Sequence, residues 1–171
     1  MPIPAYMTVT GTKQQNITQG ALTKDSVGTL YKDDHKDEIL VEAFKHTVTI
    51  PTDPQSGMTT GERVHRPVIV TKVFDKSSPM LYNALCTNEL VDVEIKWFRP
   101  TQDAGIEHYF TTKLEQAKII DITAYMPNCQ DKNLAHFTHL EDISFSYAKI
   151  TWRHEKASTE GTDSWREASK K

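Results

Sequence analysis

The chain has 171 residues, of which 37% are hydrophobic and 25% charged, with a net charge of -3. That length suits one domain with room for a real core. The slight acidity argues against nucleic acid or an anionic membrane as the main partner.

The first eleven residues, MPIPAYMTVTG, lack a basic n-region and an apolar h-region, so no secretory signal is expected. No later run approaches the roughly 18 apolar residues of a membrane span. Ala5, Met7 and Val9 alternate with Tyr6, Thr8 and Thr10, the period of a half-buried strand. Residues 11–38 are polar and turn-rich, and loops with short edge pieces are expected there. The charged run 33–38 reads as a solvated turn, and its spacing matches no EF-hand loop.

From 39 to 50 one strand is expected. Ile39, Val41 and Ala43 form one face, and Phe44, His46, Val48 and Ile50 the other. Both faces are partly apolar, which suits a central strand. His46 reads as a satisfied core histidine. Residues 50–63, IPTDPQSGMTTGER, form a loop too long for a simple connection. Pro51 and Pro54 stiffen it, and Thr52, Asp53, Gln55, Ser56, Gly57 and Arg63 supply turn and polar groups. A stiff loop that buries little at home suits docking on another molecule; a mobile surface loop is the plainer alternative.

Residues 68–74 are β-branched and lead into one helix, expected over about 79–87. Ser78 reads as the N-cap and Pro79 as the first helical residue. Leu81, Ala84 and Leu85 share one face, and Asn88 suits the left-handed residue that ends a helix. So short a helix must pack on a sheet. Strands are expected at 93–98, 108–114 and 119–126, with turn chemistry at 100–105. A strand at 140–155 changes phase, because Ile143, Phe145 and Tyr147 are odd while Ile150 and Trp152 are even. A β-bulge makes that change. Residues 157–171 read as a polar, frayed tail with Trp165 alone placed to dock back.

The predicted fold is mainly β: a small antiparallel β-barrel of two packed sheets with one short α-helix on its side. Residues 1–156 form the single domain. No nucleophile elbow, phosphate loop, dinucleotide fingerprint or HExxH run occurs. His136 and His139 are the closest histidine pair, without a second pair at ligand spacing. Cys86 and Cys129 read as free thiols. No catalytic residue, metal site or cofactor is expected.

Ten segments in order resemble the haemolysin-coregulated protein (Hcp) family of type VI secretion systems. They are MP at 1–2 with Pro4 and Tyr6, NIT at 16–18, DSVG at 25–28, PTDPQSG at 51–57 and RVHRP at 63–67. LYNAL at 81–85, KW at 96–97, MP at 126–127, CQD at 129–131 and GTDSWR at 161–166 complete the set. The helix ends Cys86-Thr87-Asn88 where a Ser-Gly type ending is expected of the family. The resemblance implies a protomer that closes into a homo-hexameric ring. Rings stack into a tube inside a contractile sheath, carry small effector proteins in the lumen and leave with the tip protein. It implies synthesis in the bacterial cytoplasm and export to the extracellular space or a target cell, without nucleic-acid or membrane binding. It also associates the 51–57 loop and Arg63 with assembly. A stand-alone ring-shaped effector carrier is the alternative function; a metal-dependent barrel enzyme is a third, which the histidine spacing disfavours.

Overall fold

The computed structural model describes residues 3–103 and 105–165. The MP pair at 1–2, Arg166 and the last residues of the expected tail lie outside them.

Strand β1 (Ala5–Gly11) pairs with three others. β2 (Gln15–Asn16) and β3 (Ile39–Val41) share one of its edges, and β8 (Val91–Pro100) runs antiparallel along the other. Between β2 and β3 lie α1 (Lys24–Val27) and two single turns of 3-10 helix. This region is less loop-like than its polarity implies, because Ile17, Ala21 and Leu22 enter the core. The charged turn is not merely solvated. His35 stacks on Tyr6 with ring centroids 3.7 Å apart, and Glu38 receives Lys96 at 2.7 Å.

The strand expected over 39–50 is instead three pieces: β3, β4 (Ala43–Lys45) and β5 (Val48–Thr49). β3 pairs with β1, whereas β4 pairs with β7 (Val68–Val73). The chain changes neighbour at Glu42, whose N–H donates to the Thr71 carbonyl. Apolar residues of both parities therefore serve different stretches of sheet rather than two faces of one strand. Ala43 is exposed, and Val48 and Ile50 leave the barrel. β5 pairs with β6 (Val64–His65) apart from the main sheet.

After β7 comes α2 (Ser78–Cys86), then β8 and β9 (Ile106–Tyr125). The two strands expected at 108–114 and 119–126 are one strand of 20 residues. Its interruption is Gln116, at φ 50°, whose N–H donates to Asp92. The first half of β9 lies between β8 and β11 (Lys149–His154), and the second half pairs with β10 (Leu140–Ser146). β10 then pairs with β7. The circuit β1, β8, β9, β10, β7, β4 closes through the short link from β4 to β3, which makes the expected barrel. The strand expected over 140–155 is instead two, β10 and β11, and the phase change falls at the break at Tyr147 and Ala148 rather than at a bulge within one strand, so that Phe145, Tyr147 and Ile150 are all buried. The polar tail is not frayed throughout: β12 (Thr159–Ser164) pairs along β11, and the Trp165 N–H donates to Ala148.

α2 lies against β9. Leu81 and Ala84 are buried, and Leu85 is half-buried against the same cluster. Asn88 has φ 53°. The Glu89 N–H reaches the Ala84 carbonyl and the Asn88 N–H that of Leu85, a Schellman ending. The start differs from expectation. Ser77 flanks the helix, Ser78 is its first residue and Pro79 its second. Ser78 caps nothing, because its hydroxyl is engaged in the interior.

Candidate functional site

The 50–63 loop is the upper part of a β-hairpin. β5 and β6 form its root, with Val48 opposite His65 and Thr49 opposite Val64. Thr52 bridges to Thr59 further out, and the Thr60 N–H donates to Pro51. Asp53 closes the tip. Its carboxylate accepts the Gln55 N–H at 3.0 Å and the Ser56 hydroxyl at 2.7 Å. Those bonds hold its pKa below the usual carboxylate range. Gly57, at φ 69°, completes the turn. Stiffness thus comes from Asp53 and cross-hairpin bonds as well as from Pro51 and Pro54. Pro51, Thr52, Pro54, Gln55, Ser56 and Gly57 are exposed, and Asp53 is half-buried. Met58 is 70% exposed and Ile50 52%, so this hairpin offers apolar side chains as well as the polar ones that sequence singles out.

Arg63 is engaged within its own chain. Its guanidinium grips both oxygens of Asp163, the Nη2 bond to Oδ1 being 2.7 Å, and donates to the Ser164 carbonyl. It holds the hairpin to β12 of the same protomer. Beside it, His65 is buried and forms a line of contacts. Its Nε2 lies 2.5 Å from Asp163 Oδ2 and its Nδ1 2.7 Å from the Tyr147 hydroxyl. His46 Nε2 meets the same hydroxyl at 2.7 Å. A carboxylate supplies no proton, so His65 Nε2 carries one. A neutral His65 then accepts the Tyr147 proton at Nδ1, and His46 donates to the Tyr147 oxygen. The Arg63 hydrogen bond keeps the Asp163 carboxyl below its ordinary range against the opposing pull of burial. Burial, with His65 nearby, holds the His46 imidazole below its ordinary value. Burial also raises the Tyr147 pKa. His46 is thus half-buried and hydrogen-bonded. Sequence does not bring His65, Tyr147 and Asp163 together, because they are 82 and 98 positions apart.

Ser78 belongs to a buried charged cluster that the sequence reading missed. Lys72 Nζ lies 2.6 Å from Glu141 Oε1, 3.0 Å from Asp75 Oδ1 and 3.0 Å from Ser78 Oγ. The Ser78 hydroxyl donates to Glu141 and accepts the Asp75 N–H. A signal did exist. Lys72 has the parity of Val68 and Val70, and Glu141 that of Ile143 and Phe145. The two charges lie opposite each other in register. Charges at core parity on both strands point to a buried pair.

His136 and His139 are exposed, their rings beside Phe137 and Phe74. Among the described residues no group of three or more His, Cys, Asp or Glu is placed to share a metal. Cys86 and Cys129 are free and exposed. The outer face of β8, β9 and β11 is polar with both signs of charge: Glu94, Lys113, Glu115, Lys149 and Arg153 line a shallow groove of about 360 Å³.

Comparison with known proteins gives a consistent result. The family described as "Type VI secretion system effector, Hcp" matches residues 6–154. The "Major exported protein" of Pseudomonas aeruginosa is 58% identical over 97% of each chain. A crystal structure of an Hcp protein superposes with a TM-score of 0.93 at 45% identity, covering 97% of this chain and 99% of the other. The secreted protein Hcp3 of Pseudomonas aeruginosa superposes with a TM-score of 0.82 at 49% identity, covering 96% and 99%.

Proposed function

The chain belongs to the Hcp family of type VI secretion proteins, and from that premise we propose that it is a structural subunit of the secretion tube. Six copies close into a ring, and rings stack into the tube that a contractile sheath ejects with its tip protein. Small effector proteins ride in the lumen. The role is non-enzymatic, and the protein is exported, as the name of its Pseudomonas aeruginosa relative says of that protein.

The observation that carries this reading is the hairpin of residues 48–65. It stands off a closed barrel, is rooted firmly by Arg63 and His65, and exposes Ile50 and Met58. A rigid element that gains little at home is suited to a neighbour, since less ordering entropy is lost on docking. A side-by-side heterologous contact closes a ring, and contact along the axis stays open and makes a filament. Multi-angle light scattering should give about six times the 19.5 kDa protomer mass, with rings and stacks in electron micrographs. A monomer at micromolar concentration would overturn the reading. Rings that never stack would favour the stand-alone carrier.

A further inference from the structure

We propose that His46, Tyr147 and His65 form a proton-operated clasp on the root of the hairpin, closed when His46 is neutral and opened when both histidines carry a charge. The proton count at one oxygen sets this behaviour. Tyr147 offers a single O–H, and two ring nitrogens face it at 2.7 Å each. With both imidazoles neutral, protons point one way along the chain, from His46 to Tyr147 to His65 to Asp163. If His65 alone gains a proton, its Nδ1–H donates to Tyr147. The Tyr147 O–H then turns to His46, whose other tautomer accepts it. If His46 is charged as well, both nitrogens present protons to the Tyr147 oxygen. The buried Tyr147 O–H then has no acceptor among the described residues, and one link must break.

The two rings have different surroundings. Asp163 on β12 faces His65, and Arg63 on the hairpin neutralises Asp163 from the other side. Tyr147 faces both rings, Trp152 lies beside His46 and Trp165 beside His65. The two imidazoles are 6.5 Å apart, close enough to repel when both are charged. Arg63 and Asp163 stay ionised throughout the range in which histidines titrate, because one pKa is raised and the other lowered. His46 has a folded-state pKa below its ordinary value. An unfolded or opened root therefore takes up that proton first. The stabilising contribution is complete above about pH 6.5 and is lost as the pH falls through the lowered His46 value.

The links at stake both end on Tyr147, between β10 and β11, and hold β6 and the 45–47 segment there, while Arg63 and His65 keep their hold on Asp163, so opening is confined to the hairpin root. The test is amide hydrogen exchange of the full chain between pH 7.5 and pH 5, corrected for intrinsic rates, with light scattering at each pH. Peptides spanning 46–66 should lose protection by up to about tenfold per pH unit between about pH 6.5 and the lowered His46 value, and level off below it. Peptides from β8 and β9 should not change. In His46→Gln, which cannot charge, the step should vanish. An unchanged step in that variant, or pH-independent protection in the unaltered protein, would overturn the clasp. So would loss of protection that only follows disassembly. Histidine-ring NMR of the unaltered protein supplies a readout that needs no variant. The His46 ring is expected to titrate below the ordinary histidine value, and titration of that ring at the ordinary value would overturn the proposal.

Discussion

Lys72 and Glu141 are the residues whose chemistry is least like their surroundings. Both are buried at the seam of β7, β10 and the start of α2. Lys72 Nζ donates to the Glu141 carboxylate, the Val73 carbonyl and Ser78, and pairs with the Asp75 carboxylate 3.0 Å away, so its charge is fully partnered. Glu141 Oε2 has no such partner among the described residues. Burying a pair stabilises little in net terms, but removing one member strands the other. Lys72→Met should therefore cost about 3–5 kcal/mol, and the double variant Lys72→Met with Glu141→Leu should recover much of it. Urea unfolding at fixed protein concentration measures both. A double-variant loss equal to the sum of the losses of Lys72→Met alone and Glu141→Leu alone would show that the pair is not coupled. Glu89 offers a contrast. It is also buried, yet the N–H groups of Lys13 and Gln14 and the Gln14 amide satisfy it. Burial pushes its pKa up, and those donors outweigh the push.

At the scale of elements, α2 and the hairpin behave oppositely. α2 is held by its buried face, so truncation there is felt in folding. Leu81→Ala should cost about 2–5 kcal/mol, through lost transfer energy and the cavity left behind. Leu81 is fully buried whereas Leu85 is only half-buried, so Leu85→Ala should cost distinctly less. A melting series that ranks the two the other way would mean that the helix is rotated on its sheet. The hairpin is held by its root and not by burial of its tip. Removing residues 55–60 deletes the Ser56 bond to Asp53 and the Thr52–Thr59 bridge but leaves Arg63, His65 and Asp163. Far-UV circular dichroism and the melting temperature should change little, while ring closure, stacking or secretion fails. Normal assembly of the shortened protein would reduce the hairpin tip to surface decoration. Failure to fold would make it part of the barrel.

For the whole molecule, closure of the barrel decides which surfaces remain open. The circuit from β1 to β4 and back through β3 leaves few edges, mainly β12 and the outer strands of the hairpin. Closure hides most of the main-chain groups that would otherwise invite uncontrolled pairing. Of the apolar side chains that stay exposed, Ile50 and Met58 lie on the hairpin, Phe74 and Phe137 on links between strands, and Ile106, Ile120 and Tyr125 on β9. Those are the places where a second copy can bury area without opening the barrel. If protomers are coupled in this way, the denaturation midpoint should rise with protein concentration, because the associated state binds only folded chains. A midpoint independent of concentration over two decades would separate folding from assembly.

The sequence by itself determined the local features of this protein. Parity marked the core faces of β1, β7, β8 and β10, and Asn88 marked the helix end. The odd-to-even change around Tyr147 marked the break between β10 and β11. Ordered segments scattered along the chain were enough to indicate the family. Only the tertiary structure decided that 39–45 switches neighbours at Glu42, that β9 is one strand bent at Gln116, and that residues 159–164 form β12. It also decided that Arg63 turns inward to Asp163 and that Ser78 serves Lys72 and Glu141. The physical reason is range. Side-chain alternation is fixed by the pleat of each strand and is visible in neighbouring residues. Barrel closure and the partners of buried polar groups depend on residues far along the chain, 63 positions for Ser78 and Glu141 and 101 for His46 and Tyr147, which no local pattern encodes.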